Sequence, residues 1–101
     1  MNQTLWTLGA EMDVQAIYER LEVLEEGMGD RFYGEVLADL KLLEAFPEIG
    51  SLVYGDRLRR VFVFNRNYGL YYVAEKSRLV IHALLDLRQD PDQIRRRLGR
   101  A

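Results

Sequence analysis

The 101-residue chain contains no cysteine, which removes disulfides, thiolate metal sites and thiol nucleophiles together. Histidine occurs once, as His82, so a zinc site would need several carboxylates to complete it. No metal or cofactor is expected. No apolar run approaches the roughly 18 residues that would span a bilayer. Residues 1–8 lack the basic-then-apolar order of a signal peptide. These absences lead to the expectation of a soluble, cytoplasmic protein in a reducing compartment, with no membrane partner. What is present is a folding composition: 49% hydrophobic and 11% aromatic residues, too apolar for a disordered chain. The length suits one domain, 1–101, with a modest core.

The net charge of −2 conceals a split. Residues 1–50 carry three basic side chains (Arg20, Arg31, Lys41) against eleven acidic ones, a net of −8. Residues 51–101 carry eleven basic against five acidic, a net of +6. Such asymmetry either marks one surface that attracts polyanions or lets the two halves attract each other across the fold.

Thr4 to Leu8 is a short β-prone run ended by Gly9 and is expected to form a first strand. From Ala10 the period changes: Ala10, Val14, Ile17, Leu21 and Leu24 make one apolar stripe of a helix, with glutamates elsewhere. Gly27 suits a left-handed helix end, and Asp30 is expected to cap the next helix. That helix presents Tyr33, Val36, Leu37, Leu40 and Leu43, with Phe32 and Phe46 widening the stripe, until Pro47 stops it. The two helices should form an antiparallel hairpin. Leu58–Phe64, Tyr68–Ala74 and Arg78–Leu85 read as strands joined by short turns, an antiparallel meander. Asp90 and Pro91 then open a final helical segment through Leu98. The expected class is α+β, in the order β-α-α-β-β-β with a short C-terminal helical turn, the hairpin packed on one face of an antiparallel sheet.

This order resembles the RelE/ParE toxin superfamily. So do four local stretches: Ala10, Asp13, Ile17 and Tyr18 on the first helix; the corner Leu43-Glu44-Ala45-Phe46-Pro47-Glu48-Ile49-Gly50; Leu58-Arg59-Arg60 entering the meander, with Tyr71 or Tyr72 following; and Arg88-Gln89-Asp90-Pro91 near the end. The resemblance implies the toxin of a type II toxin–antitoxin pair, neutralised by a cognate antitoxin. RelE-like members are ribosome-dependent mRNA endonucleases, and that chemistry needs general acid/base groups and cationic clamps. Here no Tyr or His follows His82, and Asp86 stands where the family often has a histidine. The implied branch is therefore ParE-like, a non-nuclease inhibitor of DNA gyrase. The alternatives are a RelE-like nuclease and a degenerate, non-toxic member.

No catalytic residue is assigned. Arg60, Arg66, Arg88, Arg95 and Arg96 are the residues expected to contact target or antitoxin. Arg66 and Arg88 rank first, one in a turn and one at a strand end. Arg59 and Arg60 alternate across a strand, and one of them is expected to pair with a helix carboxylate such as Asp13. Arg95, Arg96, Arg97 and Arg100 form either a phosphate-attracting tail or a solvated helix face. His82 reads as a packed strand residue and Trp6 as a core residue. Of Tyr71 and Tyr72, one is expected in the core and one at the surface.

Overall fold

The computed structural model describes residues 3–99. In chain order these form β1 (Gln3–Trp6), α1 (Leu8–Leu24), α2 (Met28–Ala45), β2 (Ser51–Tyr54), β3 (Leu58–Val63), β4 (Tyr68–Glu75), β5 (Arg78–Asp86) and α3 (Pro91–Leu98). The expected α+β class holds. The sheet has five strands rather than four, ordered β1-β5-β4-β3-β2. It is mixed, because β1 lies parallel to β5 while every other pair is antiparallel.

Three local expectations are corrected. Thr7 leaves the strand to cap α1, its hydroxyl accepting from the Ala10 amide at 3.1 Å; a threonine at this position competes well with a strand end. Asp30 does not cap α2, which begins behind Gly27 in the left-handed conformation, φ 87°. The cap comes from α1: the Glu22 carboxylate accepts from the amides of Gly27, Gly29 and Asp30 at 3.2, 2.7 and 3.3 Å. Asp30 instead accepts from the Tyr18 hydroxyl at 2.5 Å, which pushes that phenol up to about 12.

The third correction is the phase of α2. Its buried line is Gly29, Phe32, Val36, Leu40 and Leu43, while Tyr33 and Leu37 are 42% and 44% exposed. Gly29 sets that line. A Cβ there would sit 2.7 Å from the Tyr18 carbonyl of α1, so the close approach of the hairpin passes through Gly29 and carries Phe32 inward.

The hairpin covers one face of the sheet. Ala10, Ile17, Leu21, Phe32, Val36, Leu40 and Leu43 meet Tyr68, Leu70, Tyr72, Leu79, Ile81 and Leu84 there. Phe32 meets Phe64 and Tyr68 edge-on, with ring centroids 5.8 and 5.4 Å away. Trp6 packs against this cluster, partly buried. The opposite face carries a smaller cluster of Leu58, Tyr71, Val73, Ala83, Leu85 and Leu98, with Ile94 of α3 against it. Tyr71 and Tyr72 do alternate, yet both are buried, at 2% and 0% exposure. The expected surface tyrosine does not exist because α3 roofs the second face.

The corner between α2 and β2 has a clear physical basis. The Gly50 amide donates to the Tyr72 hydroxyl at 3.0 Å, and that hydroxyl donates to the Pro47 carbonyl at 2.8 Å. A Cβ at Gly50 would lie 2.6 Å from the same hydroxyl, so only glycine fits. Arg59 adds bonds to the carbonyls of Glu48 and Gly50 at 2.9 and 2.8 Å. The Phe-Pro-x-x-Gly stretch is thus the seat for one buried tyrosine and one arginine.

Candidate functional site

Beyond Ser51, β2 no longer pairs with β3, leaving residues 61–63 as an open edge. Arg60 and Phe62 point to the face opposite the hairpin, since Arg60 pairs with Tyr71 and Phe62 with Gly69. The Arg60 guanidinium lies 4.4 Å from the Phe62 ring centroid, and that of Arg66 lies 4.0 Å from it. Gly69 makes room for this stack, because a Cβ there would come within 3.2 Å of the Arg60 stem. Neither arginine has an ion-pair partner among the described residues, and the Arg60 Nε is buried without a hydrogen-bond partner. A guanidinium held by a ring rather than a carboxylate keeps its full charge available to an outside anion.

Arg66 belongs to the four-residue turn between β3 and β4. Phe64, Asn65 and Arg66 all have positive φ, at 53°, 59° and 64°. Asparagine tolerates this region, whereas a bulky aromatic resists it. Phe64 is held there because its ring is packed in the core against Phe32.

Arg88 lies at the same end of the molecule, in a separate group. Asp86 ends β5 and accepts from the Arg88 backbone amide and Nε, both at 2.9 Å, and from Nη2 at 3.0 Å. Nη2 also donates to the Tyr68 hydroxyl at 3.3 Å. From α1, Arg20 reaches the same carboxylate at 3.8 Å. The hydrogen bond from Arg88 holds the Asp86 carboxyl below its ordinary range, and the same bond raises Arg88.

The α3 arginines separate. Arg97 does not fray into solvent: it grips Asp13 of α1 through both terminal nitrogens at 2.8 and 2.6 Å. Asp13 also accepts from the Leu84 amide at 3.0 Å, a donor left open because β1 accompanies β5 only as far as Ile81. The expected pairing of Asp13 with Arg59 or Arg60 is therefore replaced by one with Arg97. Arg95 pairs with Asp92 on the exposed side of α3. Arg96 is exposed and helps line a hollow of about 330 Å³ with Leu85, Gln89 and Gln93. Arg100 lies outside the described residues.

The structure thus joins Arg60 to Arg66, places Arg88 in a second cluster, and sets Arg95 and Arg96 on a third surface. It adds Arg20 and Arg31, which flank the Arg88 hollow. Their signal was present in the sequence as two rare cations on an acidic hairpin.

The titratable groups suited to proton transfer are few. His82 occupies a bulge in β5, between Ile81 opposite Tyr72 and Ala83 opposite Tyr71. Burial pushes its imidazole below the ordinary histidine value. Burial also raises Tyr72, whose hydroxyl is committed to the corner. Among the described residues no group of three His, Asp or Glu could hold a metal ion, and no helix is long and apolar enough to cross a membrane.

No protein-family model matches this chain, and no curated protein sequence does. Among solved structures, a chain from the "Chromosomal ParDE TA system from P. aeruginosa" aligns with a TM-score of 0.74 at 18% identity, covering 87% of this chain and 98% of that one. This chain therefore has the fold of that ParDE chain, and the architecture implied by the sequence resemblance is the one observed.

Proposed function

We propose that this chain is the toxin half of a type II toxin–antitoxin pair, that it inhibits DNA gyrase in the ParE manner without cutting nucleic acid, and that a cognate antitoxin neutralises it. The observation that carries the reading is the likeness to a ParDE chain over nearly the full length of both. One fold hosts many functions, so the branch is argued from side chains. A nuclease needs a poised acid and base. Here His82 is half-buried with its basicity lowered, and Asp86 is neutralised by two arginines. The target-facing residues are proposed to be Arg60, Arg66 and Arg88, with Arg95 and Arg96 contributing long-range attraction.

The antitoxin is proposed to cover the hairpin. Leu8 and Met12 stand 73% and 63% exposed on α1. Beside them Trp6, Val14, Tyr18 and Tyr33 line a groove of about 430 Å³ with Glu11 on its rim. An amphipathic helix with basic edges has the shape and charge for such a groove.

One observation favours a second reading, an mRNA endonuclease: the open face carries Arg60 with its buried, unpartnered Nε. Two assays decide between the readings, gyrase supercoiling and in vitro translation, each with the purified chain. Inhibited supercoiling, relieved by the protein encoded next to this gene, is expected, with translation untouched. Cleaved mRNA with normal supercoiling would establish the nuclease instead. No effect in either assay would mark a degenerate member.

A further inference from the structure

At one end of the molecule the hairpin and the sheet frame a hollow of about 270 Å³. Three elements deliver one guanidinium each to its lining: Arg20 from α1, Arg31 from α2, and Arg88 from just beyond β5. Asn65 and Asn67 of the β3–β4 turn line it too. A single carboxylate answers these cations. Asp86 is chelated by Arg88 at 2.9 and 3.0 Å and approached by Arg20 at 3.8 Å. Arg31 has no ion pair among the described residues, and its guanidinium rests 5.7 Å from the Phe64 ring. Two hairpin acids are otherwise engaged: Glu22 caps α2, and Asp30 takes the Tyr18 hydroxyl. Glu35, one turn after Arg31 on α2, neither lines the hollow nor forms an ion pair with Arg31 among the described residues. Three arginines against one aspartate leave the hollow two charges positive.

We propose that this hollow is a binding site for a phosphate monoester. A phosphate monoester carries about −1.5 to −2 charges at neutral pH, which matches the surplus, whereas a carboxylate supplies only one. Guanidinium forks fit phosphate oxygens in paired hydrogen bonds, and the two asparagine amides add neutral donors. The remaining walls are Leu21, Leu24, Met28, Phe64 and Tyr68, apolar apart from the Tyr68 hydroxyl, and Leu24 is 71% exposed. An apolar or flat body attached to the phosphate would cover them. Asp86 acts as the resident competitor: with no ligand it holds Arg88 in place, and an incoming phosphate must share Arg88 and Arg20 with it. The site shares Arg88 with the proposed target surface but does not rest on the toxin reading, and its arginines are open enough for salt to weaken it.

The test is a titration at low salt with inorganic phosphate and with phenyl phosphate, followed by NMR of the backbone amides and the arginine Nε–H groups. Saturable shifts at residues 20, 31, 65–68 and 88 are expected, with phenyl phosphate binding several-fold tighter than inorganic phosphate. Arg31→Gln, which breaks no ion pair, should weaken binding about tenfold, the effect of losing one charged contact. Asp86→Asn should strengthen it by a similar factor, a gain that a merely structural role for Asp86 would not produce. Arg57→Gln, in the turn between β2 and β3 at the other end of β3, should leave affinity unchanged. The spectra themselves report whether each variant is folded. Absence of saturable shifts up to about 10 mM, equal weakening by Arg57→Gln, or weaker binding in folded Asp86→Asn would each overturn the proposal.

Discussion

Under the helical hairpin the sheet is sealed by large side chains: Phe32, Tyr68 and Tyr72 are each 0–1% exposed and the cluster is continuous across five elements. Under α3 the buried set is Tyr71 and five smaller side chains, and the helix is eight residues long. What adds to this modest packing is polar, the pair of hydrogen bonds that Arg97 donates to Asp13. The comparison teaches that one face is held by a large apolar area and the other by a smaller apolar cluster plus a single polar clasp. The first resists local opening, whereas the second can open without disturbing the rest.

The largest expected effect breaks the sealed face. Phe32→Ala removes a fully buried ring and should cost about 3–5 kcal/mol, read as a lower midpoint in denaturant with an unchanged slope. A loss under about 1 kcal/mol would mean the hairpin face is not the dominant core.

Next comes the clasp. Asp13→Ala strands the Leu84 amide and frees Arg97, and a buried donor left unmatched costs about 1–3 kcal/mol. Hydrogen exchange should then rise in α3 and at Leu84 while α2 stays protected. Uniform exchange across both faces would erase the distinction drawn between them.

The pH dependence sharpens the same contrast from the strand β5. Burial keeps the His82 imidazole less basic in the folded chain than in the unfolded one. Stability from this group is therefore complete above the unfolded value of about 6.5 and declines as pH falls toward the lower folded value. The Asp86 carboxyl is depressed by Arg88, so its contribution is complete above about 3.9 and is lost as pH falls through the lower folded value. Melting temperatures between pH 8 and pH 2 should show both declines. His82→Gln should flatten only the upper one and Asp86→Asn only the lower. If His82→Gln left the upper limb unchanged, the assignment would fail.

The smallest effect is expected on the outside of α3. Arg95→Ala breaks an exposed pair with Asp92 and should change stability by no more than about 0.5 kcal/mol. Equal damage from Arg95→Ala and Asp13→Ala would show that α3 is not held by the clasp.

The sequence made the helices and the meander plain because their apolar spacing repeats over several turns or strands, and α3 because Asp90 and Pro91 form an unambiguous start. It hid features that depend on partners far along the chain. Asp13 and Arg97 are 84 positions apart, and no local pattern links them. β2 went unread because Ser51–Tyr54 is short and mostly exposed, so it has no apolar alternation to detect. The phase of α2 was misjudged because a cap at Asp30 leaves Gly29 outside the helix, when its missing side chain is what brings Phe32 inside. For the candidate site, the late arginines were visible as charge. Which of them share a ring, a carboxylate or a hollow was set by tertiary contacts.

The parallel pairing of β1 with β5 has a consequence for synthesis. Gln3 finds its neighbour at Arg78, and Trp6 finds its own at Ile81. While the chain is being made, the first strand has nowhere to dock until Arg78 to Ile81 have left the ribosome. Contacts this distant in sequence form late, after the cost of closing a long loop. The hairpin, meanwhile, emerges early with its apolar line uncovered. During that interval the nascent chain offers the groove beside Trp6 only in part, and the clasp on Asp13 waits for Arg97. A binder that recognises the finished groove would therefore engage completed molecules and pass over chains still in translation.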